Sequence, residues 1–593
     1  MLTLQNIELQ LGNEPSVKPL LHDISLSVPS GHLAAVVGPS GCGKTSLLKV
    51  IAGVHEPSRG EVLWAGRDLS EEDLAPSEMG YVPQFSIAYD HLSIAESIEI
   101  ALRLRVNDLS RRERNSYCDS LLDEVGLGEI ASRRVKVLSG GEKRRLALAL
   151  ELVTRPALLL CDEVTSGLDP KSESEIVTLL HRLSREQSRI VISVTHSMRH
   201  LEAYDSVIVL FQGQLVYHGS GHGLGEFFET DSAEDVFLRL SEHDGDYWRQ
   251  QWHARSASIR SSPEPDETTE RHDASRIDSV SASNPTQATP VREEDALGDN
   301  VQTLRQPVRT PGILTQVSAL LTRQWKIFLR DRGQLYLQLA LILGFPCLVV
   351  VFALRGLPQM RSLSMGSDVG VVQQLIETNE LMLETTRVGS LVSGLIMIQV
   401  ILLSLMGANN AARMIAAERS VFETERLGGL RAESYVLSKL GFLIVLVAAQ
   451  SVWMAVFVSS VCRFPGNFIH QIALLVLANG AMTSICLGIS SVLKSPEQAS
   501  LVSVYLVGFQ LPLSGALLAL PQWLSVIVRP FISAYWSWSG VLQTMRDSRF
   551  YDAVLNVTQT SLSILPVCVW VLVVHCILGI VVAYCGCKHS RWE

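Results

Sequence analysis

The stretch Gly38-Pro39-Ser40-Gly41-Cys42-Gly43-Lys44-Thr45 decides how the first part of this chain is read. It fits G-x-x-x-x-G-K-[ST], a phosphate-binding loop. The apolar run Leu33-Ala34-Ala35-Val36-Val37 before it reads as a buried strand, and Ser46-Leu47-Leu48-Lys49-Val50-Ile51 after it reads as a helix. That strand–loop–helix context is what the motif requires. Glycines let backbone N–H groups crowd around a polyphosphate, and the helix N-terminus adds partial positive charge. Lys44 can reach terminal phosphates, and the Thr45 hydroxyl can ligate Mg²⁺.

Outward from this loop, composition bounds the rest. The chain has 593 residues, 47% hydrophobic and 19% charged, with mean hydropathy +0.23. That hydropathy is high for a wholly soluble protein. The 60 acidic and 50 basic residues are too many for a purely membrane one, so a soluble part plus a membrane part is expected. The net charge of −10 argues against nucleic acid as a partner. Ten cysteines are scattered without metal-ligand spacing or a secreted disulfide framework. Met1 to Glu8 lack a basic n-region and an apolar h-region, so no signal peptide is read there and the loop-bearing part is expected in the cytoplasm.

The soluble part continues with half-buried strands at 2–11 and 20–28 and a hairpin piece at Gly60–Gly66. A strand, Gly80-Tyr81-Val82-Pro83-Gln84, ends in a Gln. Residues 92–105 and 110–125 have helical periodicity. Leu138-Ser139-Gly140-Gly141-Glu142 leads into a helix rich in Lys, Arg, Leu and Ala. The apolar strand Ala157-Leu158-Leu159-Leu160-Cys161 ends in two carboxylates, Asp162-Glu163, and Ser166-Gly167-Leu168-Asp169 follows. Ile190 to Thr195 is a strand ending at His196.

This ordered set resembles the nucleotide-binding domain of an ABC transporter. Leu138 to Glu142 is similar to the family's signature, Leu158 to Glu163 to its Walker B strand, Gln84 to its Q-loop, Ser166 to Asp169 to its D-loop, and His196 to its switch histidine. The resemblance implies ATP and Mg²⁺ as cofactors. Asp162 suits Mg²⁺ because a hard cation takes oxygen ligands, and Glu163 suits the general base that orients the attacking water. By resemblance, His196 contacts the γ-phosphate and Gln84 links the metal and water to the transport domain. Nucleotide contacts fall on Gly38 to Ser46 and Asp169, and on Ser139, Gly140 and Gly141 across a composite site. Metal contacts fall on Thr45, Gln84 and Asp162. One P-loop and one signature per chain imply a second copy or a related half-transporter as partner. Two departures stand out. Val164 replaces the family's usual Pro after the glutamate, and residues 1–37 hold no aromatic to stack on adenine, leaving aliphatics such as Leu11 or Val17.

Residues 241–310 change texture, with 13 Asp/Glu against 8 Arg and no Lys. The stretch reads as a disordered polar tether, with Trp248 and Trp252 placed to pack back on the soluble domain. Residues 311–332 read as a basic amphipathic connecting helix. Six apolar runs follow, at 335–354, 388–407, 436–461, 468–493, 499–520 and 562–584, each approaching the ~20 residues that span a bilayer. The expected organisation is therefore 1–240 as an α/β P-loop ATPase domain, 241–310 as linker, 311–332 as connecting helix, and 333–593 as an all-α six-helix transmembrane domain.

ATPase first and spans second resembles the G subfamily of ABC half-transporters, the white/pleiotropic-drug-resistance type. Ala417 to Arg426 is similar to that family's coupling segment, where Glu418 and Glu425 would pair with Arg323, Arg330 or Arg332. Trp523, Trp536 and Trp538 suit the interface within an external segment at 521–561, whose lack of cysteine fits a bacterial member. Leu517-Leu518 resembles the family's leucine plug. His575, inside the last run, reads either as a functional group or as a neutral imidazole bonded to backbone. The spans show no charged relay, which favours a hydrophobic or lipid-like substrate. The resemblance implies an ATP-hydrolysing exporter in the bacterial inner membrane, surrounded by lipid, with its ATPase domain in the cytoplasm. The competing class is a membrane-anchored regulatory ATPase that acts on a partner without moving a substrate.

Overall fold

The computed structural model describes residues 1–10, 19–69, 74–84, 88–230, 235–261, 310–354, 378–516, 520–558 and 560–589. Leu11, Val17 and Leu517-Leu518 lie outside them. The chain divides into two units, one of Met1–Ala88 with Ser93–Pro311 and one of Tyr89–Leu92 with Gly312–Glu593.

The first unit is built on a ten-stranded sheet: β1 Leu2–Leu9, β2 Leu21–Val28, β3 Leu33–Val37, β4 Arg59–Trp64, β5 Arg67–Asp68, β6 Met79–Val82, β7 Leu158–Asp162, β8 Ile190–Val194, β9 Ser206–Phe211 and β10 Gln214–Gly219, in the order β5-β4-β1-β2-β10-β9-β3-β8-β7-β6. Strands β3, β8, β7 and β6 are parallel neighbours. Every residue of these four strands is buried, as continuous apolar runs in a parallel sheet require. Register pairs Val36 with Val194, Asp162 with Val194, and Val82 with Cys161. The carboxyl ends of all four strands therefore reach one edge, where open α/β sheets place their ligands.

The helices at 94–105 and 111–124 begin where the sequence supplies full capping boxes, Ser93 with Glu96 and Ser110 with Glu113. Residues 241–310 were expected as a tether from which Trp248 and Trp252 pack back on the soluble domain; the two rings do so, but on a helix, Gly245–Ser261. Its polar composition hides an aromatic face. Trp248 is buried and meets Phe228 at 5.1 Å between ring centres, and Trp252 meets Tyr217 at 5.0 Å. Burial of these rings outweighs the ordering entropy that a polar segment alone could not offset. Residues 262–309 lie outside the described residues.

The second unit is helical. The expected connecting helix is Ile313–Arg330. Five helices among the described residues are long and apolar enough to cross a membrane, rather than the expected six: Arg332–Ala353, Arg387–Leu427, Ala432–Cys462, Phe468–Val492 and Leu565–Lys588. The run expected at 499–520 is the 18-residue helix Pro496–Leu513. Its first turn, Pro496-Glu497-Gln498, is polar and it stops at Leu513, so its apolar part falls short of the ~30 Å hydrocarbon layer. In Arg332–Ala353 and Leu565–Lys588, 17% and 22% of the most apolar stretch is buried. Such outward apolar faces have lipid, not water, as their stable solvent. Of the three tryptophans expected at an interface, Trp523 is 67% exposed, whereas Trp538 is fully buried in the unit's core.

Helices Phe468–Val492 and Leu565–Lys588 pack closely through small residues. A Cβ on Gly579 would lie 2.6 Å from the Ile485 backbone nitrogen, and one on Gly488 would lie 3.0 Å from the Gly579 carbonyl oxygen. Close approach through small residues is how helices associate where no hydrophobic force separates lipid from side chain. Gly579→Leu is therefore expected to destabilise the solubilised chain by about 1–3 kcal/mol, read as a lower melting temperature. Gly508→Leu is the control, because no atom lies within 4 Å of the Cβ it would gain.

Buried amides tie the remaining helices together. Gln338 Nε2 donates to Asn410 Oδ1 at 2.9 Å, Asn410 Nδ2 to Gln450 Oε1 at 2.9 Å, and Gln450 Nε2 to Gln338 Oε1 at 3.0 Å, closing a ring across three helices. Asn479 Nδ2 joins it through Gln450 Oε1 at 3.3 Å. Polar side chains buried at membrane depth need such mutual satisfaction. In the segment expected to pair acids with arginines, Arg323 donates through both terminal nitrogens to Glu425. Glu418 instead takes Lys439 Nζ at 2.6 Å and the Tyr435 hydroxyl at 3.2 Å. His575 follows the second of its two readings, with Nε2 2.7 Å from the Pro530 carbonyl oxygen.

Candidate functional site

The site grows from the ends of the four parallel strands. After β3 the chain turns through Gly38 to Gly43 into the helix Lys44–Ile51. Gly38, Gly41 and Gly43 have φ of 154°, 81° and 101°, conformations that side-chain-bearing residues rarely adopt. A Cβ on Gly38 would collide with the Leu210 carbonyl oxygen and lie 2.7 Å from Cys42 Sγ, and one on Gly43 would lie 2.7 Å from Leu21 Cδ2. The loop is thus a backbone cradle that tolerates no larger residue at these two positions. Gly43 caps the helix without a side-chain bond, so the first-turn N–H groups around Lys44, Thr45 and Ser46 keep their donors for a ligand. Pro39 and Ser40 form the partly exposed tip, and Cys42 is buried beneath it. Lys44 is 5% exposed and donates from Nζ to the carbonyl oxygens of Gly38 and Pro39, each at 2.9 Å.

Next to the loop, β7 delivers Asp162, 4% exposed, with Oδ1 3.0 Å from Thr45 Oγ1. Its Oδ2 lies 3.3 Å from the hydroxyl of Tyr81 on β6. Burial pushes the Asp162 carboxyl above the usual carboxylate range, the Thr45 and Tyr81 hydrogen bonds pull it back, and the neighbouring charge of Glu163 raises it again. Glu163 begins the turn after β7 with φ 52°, an uncommon conformation for a residue with a side chain. Its carboxylate takes Gln84 Nε2 on Oε2 and faces His196 Nε2 with Oε1, both at 2.6 Å. Gln84 lies just past β6 and His196 just past β8. Four of the expected residues, Asp162, Glu163, Gln84 and His196, are thereby brought together beside the loop.

Ser139, Gly140 and Gly141 occupy a second place. Ser139 caps the helix Gly140–Leu152 in a capping box with Glu142. A Cβ on Gly140 would lie 3.3 Å from Leu168 Cδ2, and one on Gly141 3.4 Å from Ser172 Oγ. The signature-like turn is therefore next to the turn ending in Asp169, which caps the helix Pro170–Arg185 by accepting from Lys171 N and Ser172 N at 3.1 Å. A cleft of about 400 Å³ runs beside this turn, lined by Ser166, Gly167, Leu168 and His196 among others.

Two contributors were not read from the sequence. Tyr81 reaches Asp162 only because β6 lies beside β7, and Arg144 donates to the Gln84 carbonyl oxygen from the helix Gly140–Leu152. Burial lowers the Arg144 pKa, and the Glu163 charge works against that shift. Among the described residues, no three His, Cys, Asp or Glu side chains gather as a metal cage. The donor set Thr45 Oγ1 and Asp162 still fits Mg²⁺, which is commonly held by one or two carboxylates together with phosphates and water.

Both parts of the chain are similar to known proteins. The ABC transporter family model matches residues 21–166, and the ABC-2 type transporter model matches residues 315–544. The ABC transporter ATP-binding/permease protein Rv1747 of Mycobacterium tuberculosis is 28% identical over 517 residues, 84% of this chain and 53% of that protein. This chain thus spans about half the length of that relative. The sulfate/thiosulfate import ATP-binding protein CysA of Acinetobacter baylyi is 35% identical over 247 residues, 41% of this chain and 69% of that protein. A solved dimer of the ATP-binding cassette MJ0796 bound to ADP and phosphate is 26% identical, with TM-score 0.34, over 37% of this chain and 98% of that one. With its phosphate-loop unit and its apolar helical unit each matched in turn, this chain belongs to the ABC transporter family.

Proposed function

We propose that the chain is one protomer of a G-type ABC half-transporter that hydrolyses ATP to export a hydrophobic or lipid-like compound across a bacterial inner membrane, with its ATPase unit in the cytoplasm. The observation that carries the reading is the gathering of the phosphate loop, Asp162, Glu163, Gln84 and His196 at one sheet edge, in a chain whose described residues also hold five apolar helices of spanning length. Lys44 and the helix N-terminus at Thr45 and Ser46 hold the terminal phosphates. Thr45 and Asp162 would hold Mg²⁺, with Gln84 reaching it from beside Glu163; the ion would neutralise charge on the phosphate oxygens. Glu163, fixed between Gln84 and His196, orients the water and takes its proton as the γ-phosphate leaves ADP. His196 would contact the γ-phosphate from its place beside Glu163.

Ser139, Gly140 and Gly141 sit at a helix N-terminus suited to a phosphate, and the chain has one P-loop. Two copies, or this chain and a related half-transporter, would face each other so that each signature closes on the other's nucleotide. Closure would then drive the membrane helices between two arrangements. Among the described residues, the most apolar stretch of each span holds few charged side chains, which fits an apolar cargo.

The test is movement. The full chain in lipid vesicles is given ATP on the ATPase side with fluorescent phospholipids and hydrophobic dyes in turn. ATP-dependent redistribution of at least one probe, lost in Glu163→Gln, is expected. Hydrolysis with no probe moved, raised instead by a protein partner, would replace export with the regulatory reading.

A further inference from the structure

The carboxylate of Asp162 is held at both oxygens, by the Thr45 hydroxyl at 3.0 Å and by the Tyr81 hydroxyl at 3.3 Å. Tyr81 is 3% exposed and comes from β6, where it pairs in register with Leu160, two residues before Asp162 on β7. Its ring is thus fixed by the sheet, and its phenol, a donor at neutral pH, is fixed with it. An aspartate carboxylate rotates readily about its last bond. Magnesium demands near-ideal octahedral geometry and tolerates misaimed oxygens poorly. A donor locked on Oδ2 leaves Oδ1 aimed at Thr45, the other oxygen of the expected metal pair.

We infer that Tyr81 is a positioning residue that sets the Asp162 carboxylate for the nucleotide-bound divalent metal. The inference rests on the reading of Thr45 and Asp162 as the metal-holding pair. Tyr81 is not itself one of the expected nucleotide or metal contacts. Its effect is carried by orientation alone, as with the outer hydrogen bonds that orient metal ligands elsewhere, whose loss costs 10–100-fold in metal affinity. Because the bond is 3.3 Å long, the lower end of that range applies.

The experiment uses the full chain in detergent–lipid with a non-hydrolysable ATP analogue. Free Mn²⁺ is counted by electron paramagnetic resonance, and analogue binding is measured separately in EDTA. Tyr81→Phe keeps the ring and deletes only the hydroxyl. It is expected to raise the Mn²⁺ dissociation constant about tenfold, with analogue binding in EDTA and the melting temperature unchanged. Unchanged Mn²⁺ affinity would overturn the inference, as would a parallel loss of metal-free analogue binding and melting temperature, which marks a packing role. Thr45→Val separates the two readings. If Thr45→Val weakens Mn²⁺ binding and Tyr81→Phe does not, the positioning role fails and the site stands. If the wild-type chain with analogue takes up no Mn²⁺, both fall.

Discussion

Glu163→Gln is expected to slow ATP turnover by about 10²–10⁴-fold, the usual contribution of a positioned general base, while nucleotide binding persists. The substitution keeps the shape and removes the charge. In the wild-type chain both carboxylate oxygens are engaged at 2.6 Å, one by Gln84 Nε2 and one by His196 Nε2. A glutamine amide offers one acceptor oxygen where the carboxylate offers two, so Gln84 and His196 can no longer both donate to it. The side chain then loses both its basicity and its aim. Neither of these contacts is to the phosphate loop, where the proposed nucleotide contacts of Lys44 and the Gly38–Gly43 backbone lie, so binding of ATP in EDTA is expected to match wild type. Phosphate release and equilibrium nucleotide binding, measured on the same preparation, separate the two effects. Turnover above a tenth of wild type would assign the base elsewhere.

The second large effect is on stability. Arg105 and Glu151 form a bidentate ion pair, 2.9 Å at each contact, with side chains 6% and 8% exposed. Arg105 NH1 also donates to the Leu150 carbonyl oxygen at 3.0 Å. The pair joins the helix Ile94–Arg105 to the helix Gly140–Leu152, whose first turn is the signature. Deleting one partner strands the other charge in an apolar setting, a loss of about 3–5 kcal/mol. Arg105→Ala or Glu151→Ala is therefore expected to lower the melting temperature of the first unit's transition by roughly 10 °C. The double replacement Arg105→Met with Glu151→Leu is expected to cost less than either single change, because no orphaned charge remains. Single mutants that melt with the wild type would mean that water reaches the pair.

The chemistry of the site was legible where it depends on neighbours in sequence. Gly38 to Thr45 carries its own strand, turn and helix, and Asp162-Glu163 ends an apolar run that can only be a buried strand. Contacts between strands or helices distant in sequence were legible only where the family resemblance supplied them, as for Arg323 with Glu425. Tyr81 meets Asp162 across 81 positions and only because β6 and β7 are adjacent. The amide ring joins Gln338, Asn410 and Gln450 from separate apolar runs, in which a lone amide carries no periodic signal. The packing of Trp248 and Trp252 was legible from residue type, but the helix Gly245–Ser261 that carries them was masked by its charge, since composition averages over both faces. Trp538 carried an interface label from its residue type, yet packing against Tyr535 in the core decided its place. The run at 499–520 was counted by apolar content alone, whereas the helix ends at Leu513, at the turn marked by Ser514 and Gly515.

ATP hydrolysis by the purified wild-type chain in lipid vesicles tests the central claim most directly, because it needs the phosphate loop, the carboxylates and a partner's signature at once. The account predicts magnesium-dependent turnover by this chain alone, raised by some members of a panel of lipids and hydrophobic compounds. A chain that binds ATP in those vesicles yet stays inert with every compound would contradict a self-sufficient transporting pair.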